Sequence, residues 1–261
     1  MEIPPIERRT VRIGDLTIHD VDFQATVAEI VDAAANRTGG FVCTPNVDFV
    51  VKARRNEPFR QAVEAARLRV PDGMWIIYAS RIAGRPLRST VTGRLLLPAV
   101  AAEATRRGLR LALFGAGPGV AVQAGDRLRQ AHPGLEVVAA VTPPTPFVIG
   151  SKDDEQAVAE LTARDPDVVF VGLGPPKQEI WMARHADAMG GAVLVGVGAA
   201  LDVTAGRFRE APRWMTRWGF EWLWRLVHEP RRLARRYLVD DPWILWWAVR
   251  TRFTRSGPRR D

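Results

Sequence analysis

From residue 40 onward, short apolar runs alternate with amphipathic stretches. The runs are FVCT (41–44), LRV (68–70), LRLALFGAG (109–117), LEVVAAV (135–141), DVVFVGLG (167–174) and AVLVGVGAA (192–200). Their length and their glycine- or proline-marked ends predict buried strands. The segments 93–107, 119–131, 153–164 and 177–189 carry apolar residues at helical spacing instead. Repeated strand–helix units of this kind predict an α/β, Rossmann-like fold, a largely parallel sheet with helices on both faces. Upstream, VRIGDLTIHD (11–20) predicts a hairpin turning at Gly14-Asp15, and Asp22 is placed to cap a helix running to about Asn36. There is no internal repeat and no low-complexity tract.

The pattern changes near Ala205-Gly206. Residues 205–261 hold seven of the nine Trp and fourteen Arg, no Lys, and only six Asp or Glu, a surplus of eight positive charges. The net charge of the whole chain is also +8, so residues 1–204 balance at zero. The segment predicts two or three basic helices interrupted by Pro230 and Pro242. Arginine interleaved with Trp and Leu on a neutral body describes a surface that meets something both anionic and greasy, and a membrane interface fits that chemistry. The apolar stretch 242–249 (PWILWWAV) falls far short of the roughly 20 residues of a spanning helix, so attachment is expected to be peripheral.

At 261 residues and 47% hydrophobic, the chain can bury one full core and still spare an appendage. The division expected is a catalytic core over 1–204 and a helical membrane-docking appendage over 205–261. The single Cys43 excludes an internal disulfide, and MEIPPIERRT has acid, proline and arginine where an export signal needs an apolar run. The expected location is therefore cytoplasmic, peripheral on the inner face of the cell membrane.

Open parallel sheets bind ligands beyond the carboxyl ends of their strands. The loops there contain Thr44-Pro45-Asn46, Pro71-Asp72-Gly73, GAGPG (115–119), GLGPPKQE (172–179) and GVGAA (196–200). A glycine turn opening a helix offers N–H groups and a positive dipole end to a phosphate. GAGPG, however, has Val120 where a dinucleotide fingerprint has its third glycine, and a plain tight turn is the alternative. In GLGPPKQE, Lys177 supplies a point charge and Gln178 a two-sided amide, while Glu179 complements the helix dipole; a capped helix with solvated charges is the competing assignment. Asp72, directly after a strand, is a candidate general base, against an ordinary N-cap for a helix starting at Met74.

Two D-x-D patterns, Asp20-Val21-Asp22 and Asp165-Pro166-Asp167, resemble metal-phosphate ligands, but both precede their strand or helix. No metal is expected. The four His show no ligand spacing, and there is neither a GxSxG nor a Walker A motif. Arg225, Arg232, Arg235 and Arg236 are spaced to share one helical face if the helix continues past Pro230. Such a face either clamps a diphosphate or is simply solvated.

Together these segments resemble the WecG/TagA/CpsF glycosyltransferase family, from about residue 10 to 240. The most specific matches are TPNVDFV (44–50), PDGMW (71–75), LFGAGPGVA (113–121), VGLGPPKQEIW (171–181) and the block from 196 to 238. The resemblance implies an inverting, metal-independent transferase with no cofactor. It would move an N-acetylmannosamine-type sugar from a UDP-sugar donor to a polyprenyl-diphosphate-linked GlcNAc acceptor at the cytoplasmic membrane surface, in cell-surface polysaccharide synthesis. By position, Asp72 is implied as catalytic base, with Thr44 and Asn46 beside it and Gln178 on a sugar. Gly115, Gly117, Gly172, Gly174 and Lys177 are implied to hold UDP. Arg225, Arg232 and Arg235 are implied to neutralise the diphosphate.

The chain departs from the family pattern at Thr90 and Leu95, where a basic and an acidic residue are usual, and at TPPTPF (142–147), in place of an HGYF-like segment. These departures bear on the identity of the sugar, or on another UDP-hexose as donor. Two other readings make different demands. A nucleotide-cofactor oxidoreductase needs the missing third glycine. A non-enzymatic module that binds nucleic acid or an acidic partner through the arginine tail does not call for Trp mixed with Leu at helical spacing. No nucleic-acid partner is expected.

Overall fold

In the computed structural model, which describes residues 9–207, the six apolar runs form one six-stranded parallel sheet. The strands are β3 (Phe41–Cys43), β4 (Leu68–Arg69), β5 (Arg110–Gly115), β6 (Glu136–Val141), β7 (Val168–Gly172) and β8 (Val193–Gly196), in the spatial order β4-β3-β8-β7-β5-β6. The expected hairpin is present as β1 (Thr10–Ile13) and β2 (Leu16–His19), paired antiparallel. The helices are α1 (Phe23–Ala35), α2 (Val47–Arg55), α3 (Glu57–Ala65), α4 (Met74–Ile82), α5 (Gly93–Arg107), α6 (Val120–Ala131), α7 (Lys152–Ala163), α8 (Lys177–His185) and α9 (Ala200–Thr204).

Alternate residues of each strand point to opposite sides, and the two sets feed two separate cores. Val42, Leu111, Leu113, Phe170 and Val195 pack with α1, α5, α6 and α9 on one side. Phe41, Cys43, Ala112, Phe114 and Leu194 pack on the other with the hairpin, α2, α3, α4, α7 and α8. There Trp181, fully buried, lies 4.4 Å from the Phe114 ring centroid and donates its indole N–H to Asp154 at 2.7 Å. Both sides of the sheet are thus covered, which is why its strands read as continuous apolar runs rather than alternating ones.

The hairpin closes one sheet edge. His19 Nδ1 accepts the Arg69 N–H at 2.9 Å and the Arg69 Nε donates to the Thr17 carbonyl at 2.7 Å, so the outer side of β4 is not left as an open ladder.

Helices α2 and α3 are additions to the sequence-based expectation, which assigned no helix to residues 47–65. Their signal is the cap residue: Asn46 and Asn56 each accept an N–H three residues on, from Phe49 at 3.3 Å and Phe59 at 3.0 Å. Both D-x-D patterns have structural roles. Asp22 caps α1 by accepting the Ala25 N–H at 2.8 Å, while Asp20 takes the Arg88 N–H at 2.9 Å and lies near Arg9 and Arg88. Asp165 and Asp167 are clasped by Arg37, at 2.6 and 2.8 Å, and by Arg110 at the amino end of the sheet, opposite the ligand edge.

Candidate active site

The chain runs from β3 out to the β4 edge, and later from β5 out to the β6 edge. The loops at the carboxyl ends of β3, β8, β7 and β5 therefore gather where the strand order reverses, the usual place for a ligand in an open sheet. The β3 and β4 loops are joined directly: the Asp72 N–H donates to the Pro45 carbonyl at 2.9 Å, following the ladder bond from the Val70 N–H to the Cys43 carbonyl at 3.0 Å. This brings Asp72 beside Thr44, which is buried, and Asn46, which is half-buried and also caps α2. The N-cap of α4 is Gly73, at φ +91° and without a side-chain cap bond. Asp72 is consequently not the capping residue.

The next segment is wedged into the same edge. Val91 N–H donates to the Pro71 carbonyl at 2.7 Å, and a Cβ at Gly93 would come within 3.1 Å of the Val197 Cα. The first turn of α5 is thus pressed between the β4 and β8 loops. Ser89 Oγ and Thr92 Oγ1 are buried there without a hydrogen-bond partner among the described residues. Thr90, half-buried, and Leu95, exposed, belong to this wedge.

The glycines of the two nucleotide-candidate loops fall into two kinds. A Cβ at Gly115 would meet the Gly172 carbonyl oxygen at 2.6 Å, and one at Gly172 would meet Leu201 Cδ1 at 2.8 Å and the Gly198 oxygen at 2.9 Å. These two are glycine because neighbouring strand ends and loops touch. Gly174, at φ +73°, has nothing within 4 Å of a built Cβ, and Gly117 meets only ordinary side-chain contacts. Of these four glycines Gly174 alone faces open space, and Gly117 could take a Cβ without a close contact.

Lys177 opens α8. Its Nζ donates to the Phe147 carbonyl at 2.6 Å and stands 5.9 Å from the Phe147 ring centroid, tying the 142–150 segment to α8. Phe147 in turn packs edge-on against Phe114, 5.8 Å between centroids.

Gln178 lies inside, 2% exposed. Its Oε1 accepts the Gly198 N–H at 3.0 Å and its Nε2 donates to Glu179 Oε1 at 2.7 Å. A Cβ at Gly196 would come within 2.5 Å of that Nε2, so glycine at 196 makes room for the amide. Gln178 therefore ties the β7 and β8 loops together from the interior and is not an exposed group.

Glu179 corrects the expectation of a surface charge at the helix start. It is fully buried, its Oε2 has no hydrogen-bond partner among the described residues, and burial pushes its carboxyl up to about 7. The hydrogen bond from Gln178 and the charge of Lys52 oppose that rise, while Asp48 adds to it. The available signal was spacing: Gln178 stands three and four residues before the buried Trp181 and Met182, and Glu179 three before Met182.

The burial has a pH consequence. Folded Glu179 holds its proton to about pH 7, whereas the unfolded residue releases it near 4.5. Below that lower value both states are protonated and the shift takes nothing from stability. As pH rises through the window from 4.5 to 7 the unfolded state alone loses its proton, and stability falls by up to about 3 kcal/mol before levelling off. Glu179→Gln should remove this decline. Urea titrations of both proteins at about pH 5 and 8 check it, and an unchanged difference between the two proteins across that range would contradict it.

Arg225, Arg232 and Arg235 lie outside the described residues. Among the described residues, no three His, Cys, Asp or Glu converge as metal ligands, and no helix is long and apolar enough to cross a membrane.

Comparison with known proteins adds an independent line. The sequence profile of the glycosyl transferase WecG/TagA/CpsF family matches residues 11–258. Among curated relatives is a Bacillus spizizenii N-acetylglucosaminyldiphosphoundecaprenol N-acetyl-beta-D-mannosaminyltransferase, 28% identical over 229 residues, 87% of this chain and 86% of the relative. Proteins of the same name from Bacillus subtilis and Staphylococcus aureus are 26% and 28% identical. Those alignments cover 84% and 88% of this chain, and 86% and 91% of the relatives.

Proposed function

The chain belongs to the WecG/TagA/CpsF family of glycosyl transferases, and from that premise we propose that it moves an N-acetylmannosamine-type sugar from UDP to a polyprenyl-diphosphate-linked GlcNAc. The acceptor follows the names of the relatives. The observation that carries the chemistry is the juxtaposition of Asp72 with Thr44 and Asn46 at one sheet edge, held by the 2.9 Å bond from Asp72 N–H to Pro45. A carboxylate there accepts the proton of the acceptor hydroxyl. The freed oxygen attacks the anomeric carbon of the donor from the face opposite UDP. The new C–O bond forms as the bond to the diphosphate breaks, so the anomeric configuration inverts and UDP leaves.

The departing diphosphate gains negative charge. Backbone N–H groups of the loops around Gly117 and Gly174 and the cations Arg225, Arg232 and Arg235 are assigned to it. The reading is metal-independent because the D-x-D aspartates are engaged elsewhere, in the α1 cap and in the arginine clasp at the far end of the sheet. The core over 1–204 then binds nucleotide sugar, while 205–261 seats the enzyme peripherally on the inner face of the cell membrane, where a lipid-linked acceptor is found.

The test is UDP release from a panel of UDP-sugars, with and without a short-chain lipid-diphosphate-GlcNAc, in excess EDTA. Acceptor-dependent release from UDP-N-acetylmannosamine is expected. Release abolished by EDTA would refute metal independence, release from a different donor alone would reassign the sugar, and none from any donor would overturn the reading.

A further inference from the structure

The core has a one-signed surface of its own, beside the site. From Gly73 to Ala102 the sequence has four Arg and no Lys, Asp or Glu, although residues 1–204 as a whole carry no net charge. Helix α4 begins two residues after Asp72. It buries Ile76, Ile77, Ala79 and Ser80 and leaves an exposed stripe of Met74, Tyr78 and Arg81, the i, i+4, i+7 positions of one helix face.

Met74 is 39% and Tyr78 43% exposed, and the Tyr78 ring is steadied edge-on by Trp75 at 6.0 Å. Arg85 is exposed in the turn that follows, and Leu95, also exposed, starts α5 from the same sheet edge. Arg88 turns towards Asp20, at 3.4 Å, so Arg81 and Arg85 carry the free charge of the stripe; neither forms an ion pair among the described residues.

A solvated helix face ordinarily mixes acidic and basic groups. A large thioether and a phenol followed by guanidinium groups alone is instead the composition of a face seated at a bilayer surface. There Tyr and apolar side chains sit at the headgroup boundary and arginines meet lipid phosphates. The absence of acidic residues over thirty positions removes the repulsion that an anionic surface would otherwise feel.

We propose that the stripe of Met74, Tyr78 and Arg81, extended by Arg85, is a contact surface for anionic lipid headgroups that sets the Asp72 edge of the core against the membrane, separately from residues 205–261. The proposal rests on the functional reading only in that a lipid-borne acceptor gives such a contact its purpose.

It is tested on the full chain carrying Tyr78→Cys labelled with an environment-sensitive fluorophore, with the fully buried Cys43 left in place. The control label is at Glu136→Cys, exposed at the amino end of β6. On vesicles with about a third phosphatidylglycerol, the label at 78 should become shielded from iodide and quenched by brominated acyl chains, and the label at 136 should not. The double variant Arg81→Glu/Arg85→Glu should lower vesicle partitioning by about 25-fold or more, since each basic residue near an anionic surface contributes about fivefold. Its transfer to a water-soluble short-chain acceptor should stay within about twofold.

A label at 78 as iodide-accessible as that at 136 on vesicle-bound protein, unchanged partitioning of the double variant, or failure of the chain to bind vesicles would each overturn the proposal. Shielding without vesicles as protein concentration rises would assign the stripe to self-association and overturn it too. Absence of transfer by the unsubstituted chain to any acceptor strikes the functional reading instead, and leaves the probe result to stand alone.

Discussion

Asp72→Asn should lower sugar transfer by about a thousandfold, while the melting temperature and UDP affinity stay near those of the parent. Asparagine keeps the size and planarity of the side chain and removes its charge and its ability to take a proton. The Asp72 backbone N–H, which binds the Pro45 carbonyl, is unaffected by the side-chain change, and α4 is capped at Gly73 and so loses no cap bond. Single-turnover UDP release with saturating acceptor measures the effect, and a parallel titration of UDP binding separates chemistry from affinity. Turnover within tenfold of the parent would remove Asp72 from the role of base.

Gly115→Ala should be the most destabilising single-methyl change in the site. The added carbon would lie 2.6 Å from the Gly172 oxygen and 2.7 Å from its carbon, both backbone atoms of the adjacent β7, and the residue is at φ +109°. Overpacking and the left-handed backbone together cost about 3–5 kcal/mol, or roughly 10 °C in melting temperature. Gly174→Ala is the matched control. It has φ +73° but open space around the new methyl, so only the backbone penalty of about 1 kcal/mol applies. Calorimetry of the two variants decides the matter: equal melting temperatures would mean that the β5 and β7 ends separate easily.

Much of the fold was legible because burial on both sides of a parallel sheet writes its strands as continuous apolar runs. β5, β7 and β8 are found where LRLALF, VVFVG and AVLVG stand, and α5 has the bounds its apolar spacing predicts. Helices α2 and α3 escaped because their evident marks are single capping asparagines, and because TPNVDFV also carries the chemistry of a loop. The edge that gathers Asp72, Thr44 and Asn46 could be anticipated from strand order in general. The distinction between Gly115, pressed on Gly172, and Gly174, facing open space, could not: it depends on the distance between strands remote in sequence. Glu179 shows the same limit, since adjacent Lys177, Gln178 and Glu179 look alike in polarity and only the helix packing decides which of them is sealed away from water.

The amide of Gln178 grips Gly198 on one side and Glu179 on the other, and the start of α5 leans on Val197. The loops after β7 and β8 and the α4–α5 connection are thereby deprived of independent motion. A displacement of one on ligand arrival has to be a concerted displacement of all three, or the bracket must break. On the proposed function, in which these loops hold donor and acceptor, the choice of sugar and the alignment of the acceptor become a single mechanical variable, and exchanging one loop for that of a relative is expected to succeed only when its two neighbours travel with it.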